Sequence, residues 1–270
     1  LAAISNDPMG NVYEKPTLDI NSVAAIHIAE KAKQNGVKHF VFASSCSVYG
    51  IADAEPRTEL SEVNPLTAYA KSKVNSEIGL EPLAGKDFRV TCLRFATACG
   101  FSDRLRLDLV LNDFVASAIT AKKITILSDG TPWRPLIHVK DMARAMDWAI
   151  NRKTGDDFLI INTGSNQWNY QVKELAAAVQ KYFPDIAVEI NVNAQPDKRS
   201  YKVNFDMFEK MAAGYQPQVS LAAAVEDLKN GLLQIGFKDA DFRSSNLIRL
   251  HTISFLIKQH LIDENLFYIK

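Results

Sequence analysis

Short, unbroken apolar runs alternate with segments of helical periodicity through the first half of the chain, and that alternation leaves few folds open. Val37 to Ala43 reads Val-Lys-His-Phe-Val-Phe-Ala, and Phe88 to Phe95 is similarly apolar. A strand that is apolar on both faces must be covered on both sides, which suits the interior of a parallel sheet. Before the first run, Pro16 to Asn35 carries Leu18, Val23, Ala25, Ile26, Ile28 and Ala29 at helical spacing and stops at Gly36. The pattern predicts an α/β protein with a doubly wound parallel sheet.

Leu1 to Ile4 reads as the last part of a further strand, and a helix is expected to carry Tyr69 and Lys73. The second half departs from the rhythm. It predicts helices over 107–121, 142–151, 172–183, 205–213, 221–233 and 243–260, with short strands at 124–127 and 158–162 and one more within 185–202. Asp141 is expected to cap the helix that starts at Met142. A boundary near residues 95–105 would separate a smaller mixed α/β lobe.

Charge narrows the function classes. Lys and Arg total 31 and so do Asp and Glu, so no global field draws in nucleic acid or an anionic membrane. No stretch approaches the roughly 18 apolar residues of a membrane span. Cys46, Cys92 and Cys99 have neither zinc-ligand spacing nor an even disulfide set, so no metal is expected and a reducing cytoplasm is. The start lacks the plan of a signal peptide. It also lacks an initiator methionine, so the chain is expected to begin inside a longer protein.

Chemistry concentrates at Tyr69-Ala70-Lys71-Ser72-Lys73, downstream of the turn Ser44-Ser45-Cys46-Ser47-Val48-Tyr49-Gly50. Four residues apart on a helix, Tyr69 and Lys73 share a face. A tyrosine titrating near ~10 is a poor base at neutral pH, and an adjacent ammonium favours its phenolate. A Ser45 hydroxyl at the preceding strand end would hold the oxygen whose proton moves. Lys71, off that face, is expected at the surface.

These residues resemble the extended short-chain dehydrogenase/reductase family, in its NAD-dependent nucleotide-sugar epimerase and dehydratase branch. The resemblance rests on Ser44-Ser45-x-x-Val48-Tyr49-Gly50, on Pro65 with Tyr69-x-x-x-Lys73, and on Leu93-Arg94 with Gly100. Asp129-Gly130-x-x-x-Arg134-x-x-x-His138-Val139-x-Asp141 completes it. It implies a Rossmann-like fold. Residues 1–100 would be the remainder of a dinucleotide-binding domain, and 101–270 mainly a substrate lobe, with the chain crossing back near 130–165. NAD is the implied cofactor, with NADP the alternative, and a nucleotide-diphosphate sugar the implied partner. Members commonly form homodimers through two helices per subunit.

Residue by residue, the resemblance makes Tyr69, Lys73 and Ser45 catalytic. It assigns Leu1, Ala2, Ala3 and Asn21, with Tyr69 and Lys73, to the cofactor. Ser45, Thr97, Asn112, Arg134 and Asp197 would meet the substrate, with Arg199 and Tyr201 facing the same pocket. Arg134 is otherwise a surface arginine and Asp197 a turn former. Trp133 either stacks on a base or packs in the core, and Arg104-x-Arg106-x-Asp108 is either a substrate contact or a solvated helix start. His138 is expected to be a packed imidazole.

Four departures shape the expectation. Dehydratases of the family carry an Asp-Glu pair after the catalytic hydroxyl, whereas Cys46-Ser47 stand here, and neither is a competent acid. Cys46 is also one position short of the cysteine that the family's epimerase–reductases use. Thr97 replaces the asparagine of UDP-galactose-type epimerases. No Gly-rich pyrophosphate turn occurs, since Gly10 is isolated and the next glycine is Gly36. The resemblance therefore implies that three strands, roughly 70 residues, lie upstream. The expected activity is an isomerase, an epimerase working through a transient keto-sugar. A reductase, dehydrogenase or dehydratase of the same fold is the first alternative, and a non-catalytic member the second.

Overall fold

The computed structural model describes residues 3–51, 55–194 and 200–269. It begins with α1 (Asp7–Val12), α2 (Glu14–Leu18), a π-helical turn at Asp19–Val23, and α3 (Ala24–Gln34). The single helix expected over Pro16 to Asn35 is thus interrupted at the turn that carries Asn21. Ile4 N donates to Asn21 Oδ1 at 2.8 Å, and Asn21 Nδ2 donates to Ile4 O at 2.8 Å. That side-chain amide occupies the backbone groups a strand neighbour would use. Ala3 and Ile4 accordingly lie outside any strand, against expectation, and Leu1 and Ala2 lie outside the described residues.

The chain continues through β1 (His39–Ser45), α4 (Ala68–Leu80), β2 (Arg89–Phe95), β3 (Thr97–Cys99), α5 (Val110–Thr120) and β4 (Lys123–Ile126). It goes on with β5 (Trp133–His138), α6 (Val139–Asn151), β6 (Phe158–Thr163), β7 (Asn169–Gln171), α7 (Val172–Gln180) and β8 (Ala187–Ile190). The last helices are α8 (Asp206–Met211), α9 (Leu221–Gln234) and α10 (Arg249–Lys258).

Strands β1, β2 and β6 form a parallel sheet in that order. Period-two alternation sends successive side chains to opposite faces. Phe42, Val90 and Cys92 pack with Ala29 of α3 and Leu80 of α4, while Leu93, Phe95 and Ile161 pack with Ala145 and Trp148 of α6 and Phe208 of α8. Both faces are covered, which is why β1 and β2 read as continuous apolar runs. Full burial of a residue such as Leu93 contributes about 1.5–3 kcal/mol.

The rest forms a second packing unit. Leu111, Phe114 and Val115 of α5 meet Leu175 and Val179 of α7 and Leu228 and Leu232 of α9, beside the parallel pair β4–β8. Strand β5 pairs with β3 in parallel and with β7 in antiparallel fashion. Among the described residues no helix is long and apolar enough to cross a membrane.

One expected cap is displaced. His138, not Asp141, is the N-cap of α6, its Nδ1 accepting from Lys140 N at 3.2 Å. Asp141 sits inside the first turn and accepts from Gln218 N and Val219 N at 2.9 and 3.1 Å. Its carboxylate ties the loop before α9 to α6.

Candidate functional site

A cleft of about 1280 Å³ opens at the carboxyl ends of β1 and β2. In open α/β sheets this is where ligands bind. Ser45, Tyr69, Lys73, Thr97, Arg106 and Arg134 all line it.

Local chemistry sets the first two groups. After β1 the chain enters a 3₁₀ turn at Cys46–Tyr49, where Ser45 Oγ accepts from Ser47 N at 3.2 Å. Ser45 and Tyr69 both line the cleft, and the Ser45 hydroxyl acts to lower the Tyr69 phenol. Gly50 closes the turn at φ +62°, with Asn64 O 2.0 Å from where a Cβ would stand. A side chain there would push away the segment leading into α4. Thr67 then caps α4, accepting from Ala70 N at 3.1 Å.

On α4, Tyr69 and Lys73 face the cleft one turn apart, while Ser72 binds back to Asn21 at 3.2 Å. Lys71 is exposed. Lys73 Nζ donates to Ala43 O at 2.8 Å and lies 5.4 Å from the centre of the Tyr69 ring. Burial pulls the Lys73 ammonium down to about 8, against the attraction of Glu77. Burial likewise raises the Tyr69 phenol, opposed first by the Ser45 hydrogen bond and then by the charge of Arg106. The Arg106 contribution is one that sequence reasoning did not assign.

Arg106 is held by Asp108, with Nη2 to Oδ2 at 2.6 Å, and by Ser5 O at 3.2 Å. Asn6 donates to the same aspartate at 2.8 Å, and Arg249 of α10 donates to Ala3 O at 3.1 Å. The 104–108 loop and α10 are thereby fastened to Ala3–Asn6 on the cleft rim. A helical wheel gives no sign of this, because the partners are separated by about a hundred residues or more.

Arg134 also lines the cleft, with Nη1 donating to Trp133 O at 2.8 Å. Lys202 Nζ lies 4.7 Å from the centre of the Trp133 ring. Tyr201 also lines the cleft, and burial raises its phenol.

Other expected site residues go elsewhere. Asn112 is 1% exposed and does not line the cleft. Its Oδ1 accepts from Gly100 N at 3.1 Å and its Nδ2 donates to Arg106 O at 2.9 Å, so it shapes the loop that presents Arg106. Gly100 has φ +107°, and a Cβ there would stand 2.3 Å from His138 Nε2. His138 is packed as expected, its Nε2 3.2 Å from Asp227 Oδ2. Asn21 lines the cleft, but its polar atoms are engaged by Ile4 and Ser72. Asp197 and Arg199 lie outside the described residues. Cys46 is buried, with Sγ donating to Arg94 O at 3.0 Å, so it packs rather than reacts. Among the described residues no cluster of His, Cys, Asp or Glu has the make-up of a metal site.

The residues present fit one end of a nicotinamide dinucleotide. A phenol, an ammonium and a hydroxyl converge at the cleft wall, as the nicotinamide ribose and a reacting carbon would require. A glycine-rich turn for the pyrophosphate is not part of this sequence.

A family model described as the NAD dependent epimerase/dehydratase family matches residues 1–164. UDP-glucose 4-epimerase of Rhizobium meliloti (strain 1021) is 27% identical over 233 residues, covering 78% of this chain and 69% of that protein. UDP-glucuronic acid decarboxylase 6 of Arabidopsis thaliana is 26% identical over 216 residues, covering 76% of this chain and 60% of that protein. Among solved structures, the UDP-glucose 4-epimerase of Thermotoga maritima with UDP-glucose superposes with a TM-score of 0.76 at 22% identity. The match covers 87% of this chain and 76% of that one. MoeE5 in complex with UDP-glucuronic acid and NAD gives 0.75 at 24%, covering 87% and 78%. At these identities the structural matches establish the fold alone.

Proposed function

Because this chain belongs to the NAD dependent epimerase/dehydratase family, we propose that it is an NAD(P)-dependent nucleotide-sugar epimerase. The observation that carries the reading is the convergence of Ser45, Tyr69 and Lys73 on the wall of one cleft large enough for a nucleotide sugar. Relatives named as epimerases and decarboxylases of UDP-sugars support the substrate class.

When bound, the dinucleotide would supply reversible hydride acceptance at a sugar carbon. The protein does the rest. Tyr69 moves the proton at a sugar hydroxyl, and Ser45 holds that oxygen in line. Lys73 favours the phenolate and reaches toward the nicotinamide ribose. Arg134 holds the diphosphate, where a planar fork of donors suits paired oxygens, so a keto-sugar turns without leaving. Binding energy from that remote end serves the reacting centre. Cys46 and Ser47 stand where a dehydratase needs two carboxylic acids, and Cys46 is sealed against Arg94 O. That favours epimerisation over elimination.

The deciding experiment is product analysis with the full-length protein, UDP-sugars and a catalytic amount of NAD. An inverted sugar with no net change in nicotinamide absorbance is expected. Stoichiometric reduction would indicate a dehydrogenase, and release of carbon dioxide from a uronic acid a decarboxylase.

Two further results are expected. Arg134→Ala should raise KM for the nucleotide sugar about tenfold or more, as for loss of one hydrogen bond to a charged group, with a smaller change in kcat in steady-state assays. Turnover should also fall as pH rises through about 8, because Lys73 loses its proton there. A profile still rising at pH 9 would exclude Lys73 as the required cation.

A further inference from the structure

Glu77 does not line the cleft, yet it is tied to both ends of the catalytic arrangement. Tyr69, Lys73 and Glu77 follow one another at four-residue intervals on α4 and so share a face. Glu77 Oε1 accepts from Ser44 Oγ at 2.6 Å and from Arg94 Nε at 2.9 Å, and Oε2 accepts from Arg94 Nη2 at 2.7 Å. Ser44 lies between Ala43, whose carbonyl receives Lys73 Nζ, and Ser45, which lines the cleft with Tyr69.

The sheet register closes the figure. Ser44 on β1 stands opposite Arg94 on β2, so helix and both strands meet at one carboxylate. Arg94 is braced in turn by Tyr49, Nη1 to OH at 3.0 Å, and Tyr49 donates to Asn162 Oδ1 on β6 at 2.6 Å. Every member is buried.

We propose that Glu77 is the positioning residue of the site, holding the β1 end that carries Ser45 from one turn beyond Lys73 on the same face of α4. The inference rests on the epimerase reading. The titratable groups that act on Lys73 are Tyr69 and Glu77 on its own helix and Cys92 on β2, and β1 presents the Phe42 ring and the Ala43 carbonyl. Burial already brings Lys73 to about 8, with Glu77 the first group acting the other way. Without that carboxylate a neutral amine would face Tyr69 at working pH, unable to favour a phenolate.

The test uses the full-length protein, with Glu77→Gln and, because that change strands the Arg94 charge, the paired variant Glu77→Gln/Arg94→Gln. Expected in a folded variant are a loss in kcat of about tenfold or more at pH 8 with KM for the nucleotide sugar nearly unchanged, and an alkaline limb displaced downward by about one pH unit. NMR titration of the Lys73 15Nζ resonance should move down by the same amount. Ser44→Ala should lower kcat while leaving the Lys73 titration in place. A Lys73 titration unmoved in both glutamine variants, or wild-type turnover in them, overturns the inference. A displaced titration in a protein that turns over no nucleotide sugar supports the Glu77–Lys73 coupling and removes the epimerase reading instead.

Discussion

Tyr69→Phe is expected to abolish at least 99% of turnover while leaving nicotinamide cofactor binding intact. Only one oxygen is removed, and the ring keeps its packing on α4. The lost group is the one that exchanges a proton with the sugar, and a positioned acid–base group contributes about 10²–10⁴-fold. Ser45 cannot take over, because a serine hydroxyl does not ionise at neutral pH without a general base beside it. Lys73 is held by the Ala43 carbonyl. The check combines single-turnover rates with cofactor titration by fluorescence. Unaltered kcat with normal cofactor affinity would show that another group carries the proton, and the mechanism above would fall.

That expectation was legible in the sequence because its elements are local. A helix repeat puts Tyr69 over Lys73, and a capped turn after an apolar strand exposes a serine. The two covered faces of the sheet were legible for the same reason, since continuous apolar runs such as Val37 to Ala43 record burial directly. Pairings across the chain were not. Asn21 reads as one polar residue on a helix until the Ile4 backbone is seen against it. Asp141 carries the residue type of a cap, but two amides 77 and 78 residues away claim its carboxylate. Asn112 was expected at the substrate and instead holds the loop that presents Arg106. Glu77 did leave a trace, a third polar residue at four-residue spacing after Tyr69 and Lys73. Its significance depends on Arg94, which sequence alone places only at a strand end.

Arg94→Met is expected to be the most destabilising of the substitutions considered, by about 3–5 kcal/mol, because it leaves the Glu77 carboxylate buried without its counter-charge. The pair is nearly sealed, with side chains 6% and 3% exposed, so water cannot compensate. The favourable energy of the intact pair is smaller than this penalty, since both ions gave up their hydration on burial. Two consequences separate these quantities. In urea denaturation Glu77→Gln/Arg94→Gln should recover a large part of the loss, because neither charge is stranded. The deficit of Arg94→Met relative to wild type should also shrink as the solution is made acidic. Burial without a counter-charge favours the protonated acid, and a carboxyl that binds its proton more tightly folded than unfolded adds stability at low pH, which is lost as pH rises. A pH-independent deficit, or a paired variant as unstable as Arg94→Met, would mean that Arg94 matters through its packing and its bond to Tyr49 rather than through the charge of Glu77.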